Sequence, residues 1–293
     1  VITSSREHNA VSRPLHFMES RGLEVSKIPG NEQDPIDIAK LEEAIKPNTK
    51  ALIINHASNV TGEIMPLAQL GQIARRHNLV FIVDGAQTAG VLDIDVEAMN
   101  IDLLACTGHK GLLGPQGTGC LCVREGIQLT PLRFGGTGSS SEYLDQPEEY
   151  PDRLESGTPN TPGIAGLGAG VDFIREAGIA AIREHERQLT KRMWEGLRTI
   201  KGVSLYGPED PALRAPVISF TLEGQDTGHV GFVLDQVYGI ACRTGLHCAP
   251  DAHRAAGTFP GGTVRLSLSY FNTAEEIDKT ISAVKELAEE LNG

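Results

Sequence analysis

Positive charge, long apolar runs and cysteine are all scarce in this 293-residue sequence, and each shortage excludes a class of protein. Lys and Arg number 26 against 38 Asp and Glu, which gives a net charge of −12. Nucleic-acid binding needs clustered basic side chains, so we expect no nucleic-acid partner. No apolar run reaches membrane-spanning length, so we expect no membrane partner. The densest charged stretch, "REHERQLTKR", alternates in sign and is expected to form a solvated helix face.

The five cysteines are odd in number and scattered, which argues against a disulfide framework and indicates a reducing cytoplasm. The start, "VITSSREHNAV", has neither an initiator Met nor a basic region followed by an apolar stretch. We therefore expect no signal peptide, and we expect the chain to be a fragment. With 40% hydrophobic residues, the chain can bury a full core.

Short apolar runs alternate with helical patterns in the first part of the chain. The predicted buried strands are "KALIINHAS" (50–58), "LVFIVDGAQ" (79–87) and "DLLACTGHKG" (102–111), and the helix "PLAQLGQIARRHN" lies between the first two. This alternation predicts an α/β fold with a mainly parallel sheet flanked by helices. Polar residues follow each strand, so we expect them to converge at the carboxyl edge of the sheet.

The pattern loosens over residues 125–165 into Gly, Ser, Thr and Pro, which is typical of a functional or disordered loop. A long helical stretch broken near Gly178 follows, and then the strands "APVISFTL" and "TVRLSLS" and a closing helix. This part predicts a smaller α+β domain. We place a large domain at residues 1–171 and a small C-terminal domain at 172–293.

The stretch "GHKG" places Lys110 just past a predicted buried strand, between small residues. Such a lysine is either an ordinary surface residue or one that forms a Schiff base with a cofactor. Asp84 ends the preceding strand, where it could hold a pyridinium nitrogen protonated and so make pyridoxal phosphate an electron sink. It could equally cap the turn at "GAQTAG". Neither residue decides between these alternatives alone.

Cys248, in "RTGLHCAP", has four interpretations: a buried apolar side chain, a zinc ligand, half of a disulfide, or a nucleophile. A zinc site with Cys242, His247 and His253 fits no common structural spacing. A disulfide with Cys242 is disfavoured by a reducing compartment. The remaining cysteines are expected to be buried apolar residues in or beside strands: Cys106, Cys120, Cys122 and Cys242.

Five motifs occur in order: "DGAQTAG", "TGHKGLLGPQGTG", "ESGTPNTPG", "RTGLHCAP" and "VRLSLSYFNT". They resemble the cysteine desulfurase and selenocysteine lyase family of class V aminotransferases, which are pyridoxal phosphate enzymes of fold type I. The resemblance runs from "EHNAV" to the end of the chain. It implies a homodimer that converts L-cysteine to L-alanine and passes an enzyme-bound persulfide to a sulfur-acceptor protein, for iron–sulfur cluster assembly. Selenocysteine lyase and a class V aminotransferase are the alternative activities.

The resemblance implies a role for each of a set of cofactor-binding residues. Lys110 would form the Schiff base and move the Cα proton, and Asp84 would be the pyridinium partner. His8 would stack on the ring. The remaining contacts would be Asn59 and Gln87 to the phenolic oxygen, Thr107 and His109 to the phosphate, and Thr158 to the phosphate of the neighbouring subunit.

The same resemblance implies the residues that act on the substrate. Arg265 would bind the substrate carboxylate, a task suited to the two-pronged guanidinium. Arg243 matches a second arginine close to the cysteine. Cys248 would be the nucleophile that forms the persulfide, with Arg243, Arg265 and His247 as cationic neighbours that stabilise its thiolate. The interpretation as a nucleophile is therefore the one we carry forward, and no metal site is expected.

The family also has, ahead of these motifs, an N-terminal segment with a helix N-terminus that holds the cofactor phosphate. This sequence contains no match to it, so we expect the N-terminal part of the fold to be missing. A truncated, inactive domain is the corresponding non-enzyme alternative.

Overall fold

The computed structural model describes residues 1–30 and 34–292. Its strands are β1 Ile2–Ser4, β2 Ser26–Ile28, β3 Ala51–Asn55, β4 Val80–Asp84, β5 Leu103–Thr107, β6 Gly119–Val123, β7 Val203–Tyr206, β8 Val217–Leu222, β9 Arg243–Gly245 and β10 Thr263–Ser267. Its helices are α1 Asn9–Glu19, α2 Ile38–Glu43, α3 Leu67–Arg76, α4 Thr161–Ala177, α5 Ile179–Leu197, α6 Thr227–Gln236, α7 Pro250–Ala255 and α8 Ala274–Asn292. Across these residues we find no helix that combines the length and the apolar character needed to cross a membrane.

The first sheet has the strand order β2-β1-β3-β4-β5-β6. All of its pairs are parallel except β5 with β6, which is antiparallel. Leu52, Phe81 and Val83 are fully buried in it and belong to the same core as Leu70 and Ile73 of α3. Each such side chain stabilises the fold by about 1.5–3 kcal/mol through burial. The predicted α/β fold with a mainly parallel sheet is confirmed.

The second sheet is antiparallel, with the order β7-β8-β10-β9. Its core joins Phe220 and Leu266 of the sheet to Trp194 and Leu197 of α5 and to Val284 of α8. This is the smaller α+β unit expected from the sequence. The predicted domain boundary between residues 171 and 172 falls inside α4 and stays a prediction.

A buried arginine links the loop after β3 to the second sheet. Arg214 is fully buried and donates hydrogen bonds to Thr61 O (3.1 Å) and Val217 O (2.7 Å), while its guanidinium lies 4.4 Å from the Trp194 ring centre. The loop passes close enough that a Cβ on Gly62 would lie 2.9 Å from Val217 O, and Gly62 has a φ of +74°. Only glycine meets both demands without strain.

Residues 124–160 contain no helix or strand, so the loose segment predicted over residues 125–165 is confirmed as far as residue 160, whereas residues 161–165 begin α4. The predicted break in the long helical stretch is also confirmed, because Gly178 has a φ of 82° and separates α4 from α5. The solvated face predicted for "REHERQLTKR" is right for Glu184 and Lys191 but wrong for Glu186, which is 4% exposed. Glu186 lies four residues after buried Ile182, on the helix face that packs inward.

The prediction that four cysteines are buried apolar residues is wrong for Cys120 and Cys122, and it is right in part for Cys106 and Cys242, which pack against the two cores. Cys120 and Cys122 are exposed, and Cys106 and Cys242 are half-buried. In the part of the fold that the structure describes, β6 is the edge strand of the first sheet, so no further strand covers its two cysteines.

A buried carboxyl group joins the ends of β1 and β3. Glu7 Oε1 accepts a hydrogen bond from Ser4 Oγ (2.5 Å), and Asn55 N donates to Glu7 Oε2 (3.0 Å). Burial raises the pKa of Glu7 to about 8, chiefly because the charged form loses its hydration. Glu7 therefore holds its proton at neutral pH, and it fixes the start of the segment that carries His8.

Glu7 makes the stability of the fold depend on pH. Unfolded, this residue has an ordinary pKa of 4.5, and folded its pKa is about 8, so unfolding releases a proton between these values. Stability attributable to Glu7 is therefore present at low pH and is lost as the pH rises. We expect Glu7→Gln to reduce the fall in unfolding free energy between about pH 5 and pH 8 by about 3 kcal/mol, measured by urea denaturation.

The matched control is Glu195→Gln, because Glu195 is exposed on α5, where it pairs with Lys191 at 3.8 Å. It should keep the pH dependence of the parent chain. Glu186 has a raised pKa as well, but it is present in all three proteins and cancels from the comparison. An unchanged pH dependence in Glu7→Gln would contradict the assignment.

Candidate active site

Two adjoining cavities lie where the two sheets meet. The first, of about 380 Å³, reaches the second sheet, and the second, of about 510 Å³, lies over the carboxyl ends of β3, β4 and β5. The residues that line both cavities are His8, Asn59, Gln87, Lys110 and Arg243. All five were predicted as site residues.

Lys110 and Asp84 come together as expected, since β4 and β5 are parallel neighbours and both residues line the second cavity. Burial lowers the pKa of the Lys110 amine, and the Asp84 carboxylate partly offsets this. A lowered pKa makes an amine a better nucleophile and proton carrier near neutral pH. Asp84 Oδ1 accepts a hydrogen bond from Ala86 N (2.9 Å), so Asp84 caps the turn, and its role toward a pyridinium nitrogen stays a prediction.

His8 is the N-cap of α1 and lies in the wall of both cavities. Its Nδ1 accepts a hydrogen bond from Ala10 N (3.0 Å), so Nδ1 carries no proton. Burial lowers the pKa of His8, and the neighbouring Lys110 charge lowers it further. His8 is therefore a neutral ring whose proton sits on Nε2.

Asn59 connects the two sheets inside the site. Its Nδ2 donates to His247 O (2.7 Å), and its backbone carbonyl accepts from Arg265 Nη1 (3.0 Å). Asn59 Oδ1 is buried and has no hydrogen-bond partner among the described residues. A buried acceptor left unpaired is costly. Asn59 lines both cavities, and its role in cofactor binding stays a prediction.

Two arginines stand side by side in the first cavity. Arg243 and Arg265 are directly opposite each other on β9 and β10. Burial lowers the pKa of Arg265, and the charge of Arg243 lowers it further. Arg265 Nε is buried without a partner among the described residues. Adjacent guanidinium groups are chemically suited to bind a carboxylate, and this role of the two arginines stays a prediction.

Cys248 lies in a strained turn between β9 and α7. His247 and Cys248 have φ values of 48° and 60°, which are uncommon for residues other than glycine. Hydrogen bonds from Asn9 N to Cys248 O (2.7 Å) and from Asn59 to His247 O hold the turn in place. The thiol is exposed, with Arg243 Nη2 at 3.5 Å from Sγ. The buried apolar interpretation of Cys248 is wrong.

His247 is not a cationic neighbour of Cys248, contrary to the sequence-based expectation. Burial lowers its pKa to about 3, with the Arg265 charge adding to the effect, so the ring is neutral. His247 Nε2 pairs with Thr263 Oγ1 at 3.0 Å, and His253 Nδ1 pairs with Thr258 Oγ1 at 2.7 Å. Within residues 1–30 and 34–292 no three acidic, His or Cys side chains form a group that could hold a metal ion.

Thr107 and His109 line the second cavity, and Arg265 lines the first. Thr158 does not join them, since it is exposed just before α4 and lines neither cavity. The roles of these residues stay predictions.

Sequence reasoning missed Glu186 and Tyr270, which both line the first cavity. Burial raises the pKa of Glu186 to about 7, and the Tyr270 backbone N–H is hydrogen-bonded to its carboxyl group. The spacing of four residues from Ile182 places Glu186 on the same helix face as that apolar residue. The alternating charges around Glu186 instead favoured a solvated face. Tyr270 follows the strand that carries Arg265, in a motif for which only the arginine was considered.

Proteins named as cysteine desulfurases resemble the chain over nearly its whole length. A probable cysteine desulfurase of Methanothermobacter thermautotrophicus is 34% identical over 294 residues, which cover 98% of this chain and 73% of the relative. A cysteine desulfurase of Salmonella agona is 36% identical over 97% of this chain and 70% of its own length.

Solved structures agree with these sequence matches. The apo structure of a cysteine desulfurase from Thermococcus onnurineus superimposes with a TM-score of 0.91 at 34% identity, covering 99% of this chain and 72% of that one. An Escherichia coli cysteine desulfurase gives a TM-score of 0.89 at 31% identity, with the same coverage. The family model "Aminotransferase class-V" matches residues 1–280. The chain therefore belongs to the class-V aminotransferase family, in the group that contains the cysteine desulfurases.

Proposed function

We propose that this chain converts L-cysteine to L-alanine and keeps the released sulfur as a persulfide on Cys248. The observation that carries the proposal is the exposed Cys248 thiol, whose Sγ lies 3.5 Å from Arg243 Nη2. Arg243 in turn lines the same cavities as Lys110. A guanidinium beside a thiol favours the thiolate, which is the form that attacks sulfur.

Class-V aminotransferases use pyridoxal phosphate, and the residues of the second cavity fit this cofactor. Lys110 offers an amine with a lowered pKa, Asp84 a carboxylate for the ring nitrogen, and His8 a neutral ring. The unpaired Asn59 Oδ1 adds an acceptor that a ligand could meet. Gln87, Thr107 and His109 would complete the contacts. When bound, pyridoxal phosphate withdraws electrons from the amino-acid Cα and so weakens the Cβ–S bond.

Residues of the chain bind the substrate, transfer the proton and attack the sulfur. Arg265 and Arg243 bind the substrate carboxylate in the first cavity and so orient the amino acid. Lys110 takes the Cα proton and later returns a proton to carbon. The Cys248 thiolate attacks the substrate sulfur, so that an S–S bond forms while the Cβ–S bond breaks. The electron pair of the broken bond stays with carbon, and the products are alanine and the Cys248 persulfide.

The sequence left selenocysteine lyase, a class V aminotransferase and an inactive domain as alternatives. The relatives at 34–36% identity are named as cysteine desulfurases, which favours none of these. A transaminase also has no need for an exposed thiol beside an arginine that faces the substrate.

We further propose a sulfur-acceptor protein as partner, since the exposed Cys248 leaves the persulfide open to attack from solution. All five cysteines are free thiols, which supports a reducing cytoplasm as the compartment. The sulfur would then serve iron–sulfur cluster assembly.

Cys248→Ser should reduce alanine formation from L-cysteine by at least about a hundredfold, because a hydroxyl is too weakly acidic to replace the thiolate. The measurement is alanine released in the presence of pyridoxal phosphate and L-cysteine. Cofactor loading, read from the visible absorbance of the purified variant, should be unchanged because Lys110 and Asp84 are intact.

Cys242→Ser is the matched control, since Cys242 is half-buried six residues earlier and its Sγ lies 4.0 Å from Gly231 O rather than in either cavity. It should keep most of the activity. Retained alanine formation in Cys248→Ser would overturn the proposal.

We propose that the chain forms a homodimer through the 134–162 loop, with Thr158 reaching the cofactor phosphate of the partner. Large apolar side chains around this loop support a covered surface, because Leu132 is 98% exposed, Phe134 71% and Tyr143 69%. Soluble monomers rarely leave such side chains in open water together. A second copy of the chain is the expected occupant.

Sedimentation equilibrium should give a dimer for the chain, and Phe134→Ser should shift it toward monomer. Phe232→Ser is the control, since Phe232 is 64% exposed on α6, a helix that packs against the second sheet and α8. A monomer at all protein concentrations would contradict the dimer, and equal effects of the two substitutions would contradict the role of the loop.

A further inference from the structure

Two buried histidine rings pack against each other, one in the turn that carries Cys248 and one on α7. His247 and His253 are both buried, and their ring centres lie 5.4 Å apart. Neither residue lines either cavity, and the function proposed above uses neither ring. Any effect of the two histidines on the reaction therefore acts through the turn and not through contact with the substrate.

Each ring is hydrogen-bonded to a buried threonine of another segment. His247 Nε2 pairs at 3.0 Å with the hydroxyl of Thr263, the first residue of β10. His253 Nδ1 pairs at 2.7 Å with the hydroxyl of Thr258, in the loop between α7 and β10. A buried polar group that loses its partner cannot turn to water instead, so these bonds are costly to break. Each threonine therefore fixes the position of its histidine.

Further contacts connect these pairs to the start of the turn. The turn leaves β9 at Gly245, and a Cβ built on Gly262 would lie 2.3 Å from Gly245 C, so the two backbones are in close contact. Gly262 N donates a hydrogen bond to Thr258 O (2.7 Å), and the Thr258 hydroxyl leads back to His253. The contacts thus form a closed set that holds the turn from both of its ends.

The turn needs such support because its backbone is strained. His247 and Cys248 are consecutive residues with φ values of 48° and 60°, a conformation that residues other than glycine keep only where their surroundings impose it. Asn9 and Asn59 donate hydrogen bonds to backbone carbonyls of this pair. The His247 ring adds a side-chain anchor inside the protein.

We propose that His247 and His253 are positioning residues that hold the Cys248 thiol where it can attack the substrate sulfur. The inference rests on the proposed function, because it takes Cys248 as the nucleophile. Attack on sulfur needs the thiolate close to the bond that breaks and in line with it, so a small displacement of the turn should slow the transfer. Removal of the Cα proton by Lys110, which follows β5, should not depend on the turn.

Thr258→Val and Thr263→Val test the proposal, since valine keeps the shape of threonine and each change removes the hydroxyl partner of one histidine. Two reactions of the whole chain are compared in the presence of pyridoxal phosphate. Alanine formation from L-cysteine requires attack by Cys248, whereas β-chloro-L-alanine can lose chloride and release pyruvate without a thiol. We expect the first rate to fall by about tenfold and the second to stay within about twofold of the parent chain. The ratio of the two rates does not depend on the fraction of the chain that is folded.

Thr280→Val is the matched control, because Thr280 is buried on α8 and its Oγ1 donates to Glu276 O (2.8 Å) within that helix. It should keep the ratio of the parent chain. Hydrogen–deuterium exchange without cofactor reports on the turn itself. The backbone amides of residues 246–253 should exchange faster in Thr258→Val and Thr263→Val, and at the parent rate in the control.

An unchanged ratio of the two rates would overturn the proposal, whether both rates fall together or neither falls. A lower ratio without faster exchange in the turn would overturn the assignment to positioning. Failure of the proposed function gives a different result, because Cys248→Ser would then keep full alanine formation.

Discussion

The hydrogen bonds of Arg214 are the constraint on which the active site depends. This buried guanidinium binds backbone carbonyls on both sides of the contact between the sheets, at Thr61 and at Val217. A buried charge stripped of such partners costs several kcal/mol, so the loop after β3 has one favourable position against the second sheet. Asn59 lies in that loop, and its two hydrogen bonds reach the Cys248 turn and Arg265. The geometry of the site is therefore set by the contact between the sheets.

The residues of the proposed reaction come from two different sheets. The parallel sheet supplies Lys110 and Asp84, whose positions follow from strand order alone. The antiparallel sheet supplies the paired arginines, and the turn after β9 supplies Cys248. The start of α1 contacts both groups of residues. His8 lines the cavities, and Asn9 N donates a hydrogen bond to Cys248 O. A thiol placed on a strained, tightly bonded turn can stay exposed without losing its position beside Arg243.

Much of the first sheet and of the candidate site could be predicted from the sequence, because the patterns that indicate them lie within short stretches of the chain. The apolar runs that became β3, β4 and β5 predicted parallel strands, and Lys110 and Asp84 followed from their ends. The predictions that failed concern residues whose burial depends on parts of the chain that are distant in sequence. Glu186 is buried by the helix face that it shares with Ile182, and His247 is neutral because its turn packs inside the protein. The cysteines of β6 are exposed because β6 is the edge strand among the described residues, a position that depends on strand order and not on the local sequence.

A single turnover with sulfur-labelled L-cysteine shows whether sulfur passes from the substrate to Cys248. Trypsin cuts after Arg243 and after Arg254, so Cys248 lies on its own peptide, separate from Cys242. We expect this peptide to gain one labelled sulfur that dithiothreitol removes, in an amount equal to the alanine formed. Alanine formed with the label absent from this peptide, or present on another cysteine, would contradict it.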